Sequence, residues 1–385
     1  MNSSNLLPTR IFGPILILLL FYSSRPDNTV ETSATVFQSM AFPAAPIVHG
    51  GSDETKPTET GNPGRTHGSN QRYEFESPHM GTLFRIVLYA AKDSLAELAS
   101  EAAFERIEEL NSMMSDYLPD SELNVLSRTS GSGRAVTVSP SLFEVLQYSK
   151  HLSSKTNGAF DVTVGPYVKL WREMNRQSLP ELPSKTELDE AGQHVGYRFI
   201  KLDEKNKSVD LLQPGMQLDL GGIAKGYATD EALEILRQHG IPSALVDGGG
   251  DIRAGEAPPN KDGWRVVIPA VDSEGTTRYT ELLVSDRAIA TSGDLFQFFE
   301  IDGVRYSHII HPQTGLGITQ QHSVTVLAPN GMTADSYASA LSVLGPEKGI
   351  WLAQKLPEIE VRFVYTNNDS IQIQKTDGFS QYLQK

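Results

Sequence analysis

The chain has 385 residues, 39% hydrophobic and 21% charged, enough to build the core of one large domain or two ordinary ones. Its 47 Asp and Glu outweigh 33 Lys and Arg, a net charge of −14, which argues against nucleic acid or an anionic membrane surface as a general partner. The absence of cysteine excludes disulfides, thiolate zinc sites, a cysteine nucleophile and a lipidated N-terminal cysteine, and leaves oxygen-ligated Mg²⁺ or Ca²⁺ as the metals to look for.

At the N-terminus, Arg10 precedes an apolar run from Ile11 to Tyr22. As a helix this run spans roughly 18 Å, short of the roughly 30 Å hydrocarbon core, which fits a secretory signal better than a full membrane span. Export is expected, with 1–24 as a signal peptide or a retained N-terminal membrane anchor and a periplasmic or cell-envelope location. Residues 25–72 include HGGSDETKPTETGNPGRTHGSNQ, rich in Gly, Pro, Ser, Thr and charge. Such a stretch buries too little apolar surface to offset its ordering entropy, so it reads as a flexible tether. A single folded domain is expected over 73–385, with order beginning near Tyr73.

In chain order, TLFRIVLYA (82–90) reads as a buried strand. Asp93 or Ser94 can cap a helix running to Met114, with Leu95, Leu98, Ala102, Ile107 and Leu110 as its apolar stripe. Ser139 or Ser141 can start a second helix through Tyr148. Strand-like runs recur at 244–247, 264–268, 281–284, 287–291, 296–301 and 322–327, and helices are expected at 225–239 and 333–344. Strands and helices mixed without regular alternation point to an α+β domain rather than a doubly wound sheet.

Five stretches can carry chemistry. In QLDLGGIAKGYATDEAL (217–233), a strand end, a Gly turn and a helix N-terminus make an anion site to which Lys225 adds a cation, or else a turn whose glycines only allow packing. It is neither G-x-G-x-x-G nor a P-loop. In VDGGGDIRAGE (246–256), three glycines lie between Asp247 and Asp251, as a phosphate-approach loop or a plain hairpin turn. In MTADSYASALSVLG (332–345), Asp335 and Ser339 share a helix face and could offer two oxygens to Mg²⁺, or merely favour the helix dipole and pack. In YSHIIHPQTG, a strand entering a turn would point His308 and His311 to opposite sides, and Pro312 disfavours the helical geometry that would unite them. Finally, Tyr117, Phe160 and Trp171 are aromatic residues in turn-rich contexts that could stack on a flat ring or pack in the core.

Taken in order, these stretches resemble the ApbE family, the FAD:protein FMN transferases. The landmarks are MGTLFRI (80–86), SDYLPDSELNVLS (115–127), GAFDVTVGPYVKLW (158–171), LDLGGIAKGYATD (218–230), VDGGGDI (246–252), ATSGD (290–294), HIIHPQTG (308–315) and TVLAPNGMTADSYASAL (325–341). The resemblance implies an exported α+β enzyme that binds FAD as substrate and Mg²⁺. It implies transfer of FMN onto a Thr or Ser hydroxyl of a target protein, with release of AMP. Typical targets are flavin-bearing subunits of membrane redox complexes, and some relatives instead hydrolyse FAD to FMN and AMP. A non-catalytic FAD-binding protein is the third reading. By the same resemblance, Asp335, Ser339 and the Gly222 carbonyl would hold the metal. FAD would meet Met80, Tyr117, Ala159, Phe160, Asp161, Asp219, Lys225, His308 and Ile309. His308 and Asp335 would be catalytic, His308 assisting proton transfer from the acceptor hydroxyl. Where this chain has Ser339, Gly222 and His311, the family usually has Thr, often Ala, and Asp. If that Asp only braces the turn, His311 can replace it as a hydrogen-bond partner; if it tunes the active site electrostatically, the change to His311 alters activity.

Overall fold

The computed structural model describes residues 70–176, 181–271, 277–293, 298–367 and 370–384. The expected signal segment and nearly all of the tether lie outside them. β1 (Gln71–His79) begins two residues ahead of Tyr73 and pairs with β2 (Thr82–Ala90) through the turn Met80-Gly81. Both turn residues have positive φ, +48° and +73°, the geometry of a two-residue hairpin turn matched to strand twist.

α1 (Asp93–Met114) ends where expected, but the expected cap at Asp93 or Ser94 is corrected: Lys92 holds the N-cap position with no side-chain cap hydrogen bond, and Asp93 is already helical. Its buried line is Ala96, Ala99, Ser100, Ala103, Ile107 and Leu110. Of the expected stripe, Ile107 and Leu110 are buried and Leu95 and Ala102 half-buried, while the expectation for Leu98 is corrected, since it is 56% exposed. The other buried positions are mostly alanines, which allow close helix approach. α2 (Glu122–Ser127) and β3 (Val136–Thr137) follow. α3 (Pro140–Lys155) starts behind Ser139, whose side chain accepts the Leu142 N–H at 3.3 Å.

α4 (Gly165–Met174), α5 (Lys185–Gly192), β4 (Ile200–Asp203) and β5 (Ser208–Leu211) lead to α6 (Ala224–Gln238), which lies against α1. Next come β6 (Ala244–Gly248), β7 (Ile252–Ala254), the paired strands β8 (Trp264–Val271) and β9 (Thr277–Val284), then β10 (Ala288–Gly293) and the hairpin β11 (Phe298–Ile301) and β12 (Val304–Ser307). β13 (His322–Ala328), α7 (Gly331–Ala353), β14 (Glu360–Asn367) and β15 (Ser370–Lys375) complete the described fold. α7 breaks at Gly345, φ +75°, just before Pro346, where the sequence pattern ends.

Eight strands form one sheet in the order β1-β2-β6-β7-β10-β13-β14-β15, every described pair antiparallel. Alternate residues divide its faces. Phe84, Ile86, Val246, Ala290, Val326 and Phe363 pack with residues of α1, α6 and α7, such as Leu110, Leu236 and Leu341. Val87, Leu245, Ile289 and Leu327 face the opposite way, against Trp264, Ile268 and Leu282 of the β8–β9 hairpin. This is an α+β layer structure, with helices on one face of an antiparallel sheet.

Candidate functional site

The approach to α6 differs from the expected strand end. Gln217 makes a single bridging pair with Val164, and no ladder continues through Leu218, Asp219 and Leu220. Leu218 and Leu220 are both buried, which anchors the segment by packing and leaves Asp219 between them half-buried. The Asp219 N–H donates to the Val162 carbonyl at 2.8 Å, and its Oδ1 accepts the Gly221 N–H at 2.8 Å, setting the Gly turn ahead of α6. Burial, then the nearby Asp116, pushes the Asp219 carboxyl up to about 6. Arg172 of α4 offsets this in part: its guanidinium is 2.5 Å from Asp116 and 3.6 Å from Asp219, and lies 3.9 Å over the Tyr117 ring.

The three aromatic candidates separate clearly. Tyr117 is 73% exposed with Arg172 on its ring, so it presents a stacking surface. Phe160 is only 6% exposed and belongs to the main core, so its suggested role as a stacking platform reduces to an edge contact beside Gly222. Trp171 is buried and donates its indole N–H to the Gly315 carbonyl at 2.7 Å, making it a brace of the HPQTG turn. Next to Phe160, Ala159 is buried. Asp161 is occupied: it accepts the Thr163 N–H (2.9 Å), the Thr163 hydroxyl (2.6 Å) and the Tyr197 N–H (2.8 Å). Burial still raises its carboxyl above the ordinary value.

Gly222, Ser339 and Asp335 meet where α6 and α7 cross. A Cβ on Gly222 would lie 2.7 Å from the Ser339 Oγ, so the Gly turn and the hydroxyl are in immediate contact. Asp335 Oδ2 accepts the Gly226 N–H at 3.1 Å. The helices touch backbone to backbone: a Cβ on Gly226 would sit 2.2 Å from the Gly331 carbonyl oxygen. Asp230 of α6 accepts the N–H groups of Gly331 (2.6 Å) and Met332 (2.9 Å), while its Oδ1 lies 3.2 Å from Arg253 Nε.

The three glycines between Asp247 and Asp251 resolve as the β6–β7 turn, with Gly249 and Gly250 at φ +75° and +103°. It also carries charge to the site, because Asp251 pairs with Lys225. Burial opposes the Lys225 charge, but the carboxylates of Asp251, Asp335 and Asp247 more than offset it and raise its pKa. Burial first, then Asp251, pushes Asp335 up to about 7, against the pull of Lys225. Burial likewise takes Asp247 to about 6. Among the described residues, no three His, Cys, Asp or Glu are grouped to hold a metal, so a metal here would rest on mixed oxygen donors.

HIIHPQTG is not the expected continuous strand. β12 stops at Ser307, whose Oγ accepts the Ile309 N–H at 3.1 Å, and Ile310 makes only a single bridging pair with Gly317. His308 is exposed. His311 heads the turn: its carbonyl accepts the N–H groups of Thr314 (3.1 Å) and Gly315 (2.9 Å), and its Nδ1 accepts the Gln313 N–H at 3.2 Å. The imidazole thus bonds the backbone two residues on, as an Asp or Asn does in an Asx turn. Residue spacing gave no sign of Arg172, which reaches Asp116 and Asp219 only through the fold, or of Asp230 as an acceptor for the first N–H groups of α7 beside its own N-cap Asn330. Asp251 was visible as a flank of its glycines, without its partner.

A family model described as the ApbE family matches residues 80–363. A Vibrio cholerae protein named FAD:protein FMN transferase is 35% identical, with 82% of this chain and 94% of that protein covered. An Escherichia coli protein of the same name is 29% identical over 90% and 97%. Among solved structures, "Flavin Transferase ApbE from Vibrio cholerae" aligns with a TM-score of 0.75 at 31% identity, covering 82% of this chain and all of that one.

Proposed function

The chain belongs to the ApbE family, and we propose that it is a Mg²⁺-dependent FAD:protein FMN transferase acting on a Thr or Ser hydroxyl of its target. The observation that carries this reading is the meeting of Gly222, Ser339 and Asp335 at the α6–α7 crossing, with Lys225 beside them. One carboxylate, one hydroxyl and one backbone carbonyl are hard oxygen donors. They suit Mg²⁺, which keeps several positions for water and substrate phosphates. The bound ion would offset negative charge on the pyrophosphate oxygens, so a chain of net charge −14 can handle a dianionic substrate.

The remaining roles fall to side chains. Lys225, held in place by Asp251, faces the phosphates. Tyr117 offers its exposed ring to a flat ring system, and Met80 sits at the tip of the first hairpin. His308 takes the proton as the acceptor oxygen bonds to the FMN phosphorus. The bond from that phosphorus to the AMP oxygen breaks, and AMP leaves. The apolar run Ile11–Tyr22 supports action outside the cytoplasm, on a flavin-bearing subunit of a membrane redox complex.

In-gel fluorescence after incubation with FAD, Mg²⁺ and a candidate acceptor tests this directly. A covalent fluorescent acceptor band supports the transferase. AMP release without an adduct would instead identify a pyrophosphatase, and retained, unchanged FAD a non-catalytic binder.

A further inference from the structure

Arg362 lies inside β14, between Val361 and Phe363. Those neighbours pack in the core under α6 and α7, so Arg362 points to the other face of the sheet, the face of Ile289 and Leu327. The register sets it in a row across four strands: Thr291 of β10 opposite Thr325 of β13, Thr325 opposite Arg362, and Arg362 opposite Lys375 of β15. Residues directly opposite share a face, with Cβ atoms roughly 5 Å apart. The Thr291 and Thr325 hydroxyls are bonded at 3.0 Å.

Arg362 is 8% exposed, yet it makes no side-chain hydrogen bond or ion pair among the described residues. Its pKa is depressed by burial alone, with no carboxylate acting on it. Glu360, on the same face of the strand, is engaged by the Thr376 hydroxyl. Arg253 makes the contrast: it is equally buried, but paired with Asp230 at 3.2 Å. A guanidinium so largely covered and without a counter-charge is unfavourable, and its nitrogens are not among the described side-chain atoms sealed from solvent, so a small anion can reach them.

We propose that Arg362, with Lys375 beside it and the threonine hydroxyls along the row, binds a small tetrahedral oxyanion of the phosphate or sulfate type. The planar guanidinium presents two parallel N–H groups to two oxygens of one anion, a match a lone ammonium cannot make. Lys375 is exposed on the edge strand and adds a second positive charge. The row lies on the sheet face opposite the helices that carry Asp335 and Ser339, so the site stands independently of the proposed transferase chemistry.

Thermal melts of the full chain with and without inorganic phosphate, in an otherwise anion-poor buffer, decide the matter. At about tenfold its Kd, phosphate should raise the wild-type Tm by about 2–4 °C and leave Arg362→Met unmoved. Without phosphate, Arg362→Met should melt no lower than wild type, since it removes an unpaired charge. Lys225→Gln should keep the Arg362-dependent shift, which separates this site from the FAD phosphate site. Equal shifts in wild type and Arg362→Met, or no shift in wild type, would overturn the proposal. Should Arg362→Met not fold, Arg362→Lys takes its place: a clearly smaller shift supports the guanidinium site, and an unchanged one overturns it.

Discussion

Asp335 accepts the Gly226 N–H at 3.1 Å, so the carboxylate of α7 proposed to hold the metal also satisfies the first turn of α6. Asp230 of α6 returns the favour by taking two N–H groups at the start of α7. Each helix caps the other, and the exchange fixes Ser339 and Gly222 in contact. The proposed metal donors and the helix packing thus share the same residues.

Asp335→Asn separates the two roles. The amide oxygen still accepts the Gly226 N–H, and the repulsion with Asp251 disappears. The variant should melt at or above the wild-type temperature while Mg²⁺ binding, read by calorimetry, falls at least tenfold and turnover falls further. Unchanged Mg²⁺ affinity would reduce Asp335 to a cap.

Removing Lys225 leaves Asp251, Asp335 and Asp247 facing one another without their cation. Lys225→Ala should lose up to about 3 kcal/mol of stability and bind FAD more weakly. Lys225→Arg should recover most of the stability. Wild-type FAD affinity in the alanine variant would remove Lys225 from the site.

No side chain fits at the helix crossing. With 2.2 Å between a Cβ on Gly226 and the Gly331 carbonyl oxygen, Gly226→Ala must separate α6 from α7. The cost should be at least about 3 kcal/mol, seen as a large drop in Tm or as insoluble protein. A well-folded alanine variant would show that the helices can part freely.

His311 must be neutral for its Nδ1 to accept the Gln313 N–H. Burial lowers its pKa below 6.5, with Lys348 adding to the effect. The unfolded chain therefore takes up a proton first as pH falls. This contribution to stability is complete above pH 6.5 and is lost as pH falls through the folded pKa. An Asp at this position stays ionised to about pH 4. The Tm of wild type should drop relative to His311→Asp as pH falls below about 6.5, and the two curves should run parallel above it. Parallel curves throughout would mean that the ring does not hold the turn.

Local signals gave the sequence its legibility. Ser139 as a cap and the break of α7 at Gly345 each follow from capping or backbone preference over a few residues. Asp335 and Ser339 sharing a helix face was equally local. What failed needed tertiary knowledge. The place of Leu98 in the α1 stripe depended on which neighbour the helix meets, and alanines win where helices pack closely. The strand through HIIHPQTG stops early, at Ser307, whose Oγ takes the Ile309 N–H, while Trp171, distant in sequence, ties down Gly315 further on. No spacing rule reveals that Arg172 bridges Asp116 and Asp219, or that Arg362 lacks a counter-charge. Those relations exist only once the strands are in register.

Mass spectrometry of the products from FAD and Mg²⁺, with and without a candidate acceptor protein, tests the central claim most directly. The account predicts an acceptor heavier by one FMN moiety on a Thr or Ser, an equal amount of AMP, and neither product from Asp335→Asn. AMP and free FMN with an unmodified acceptor, or full activity in Asp335→Asn, would contradict it.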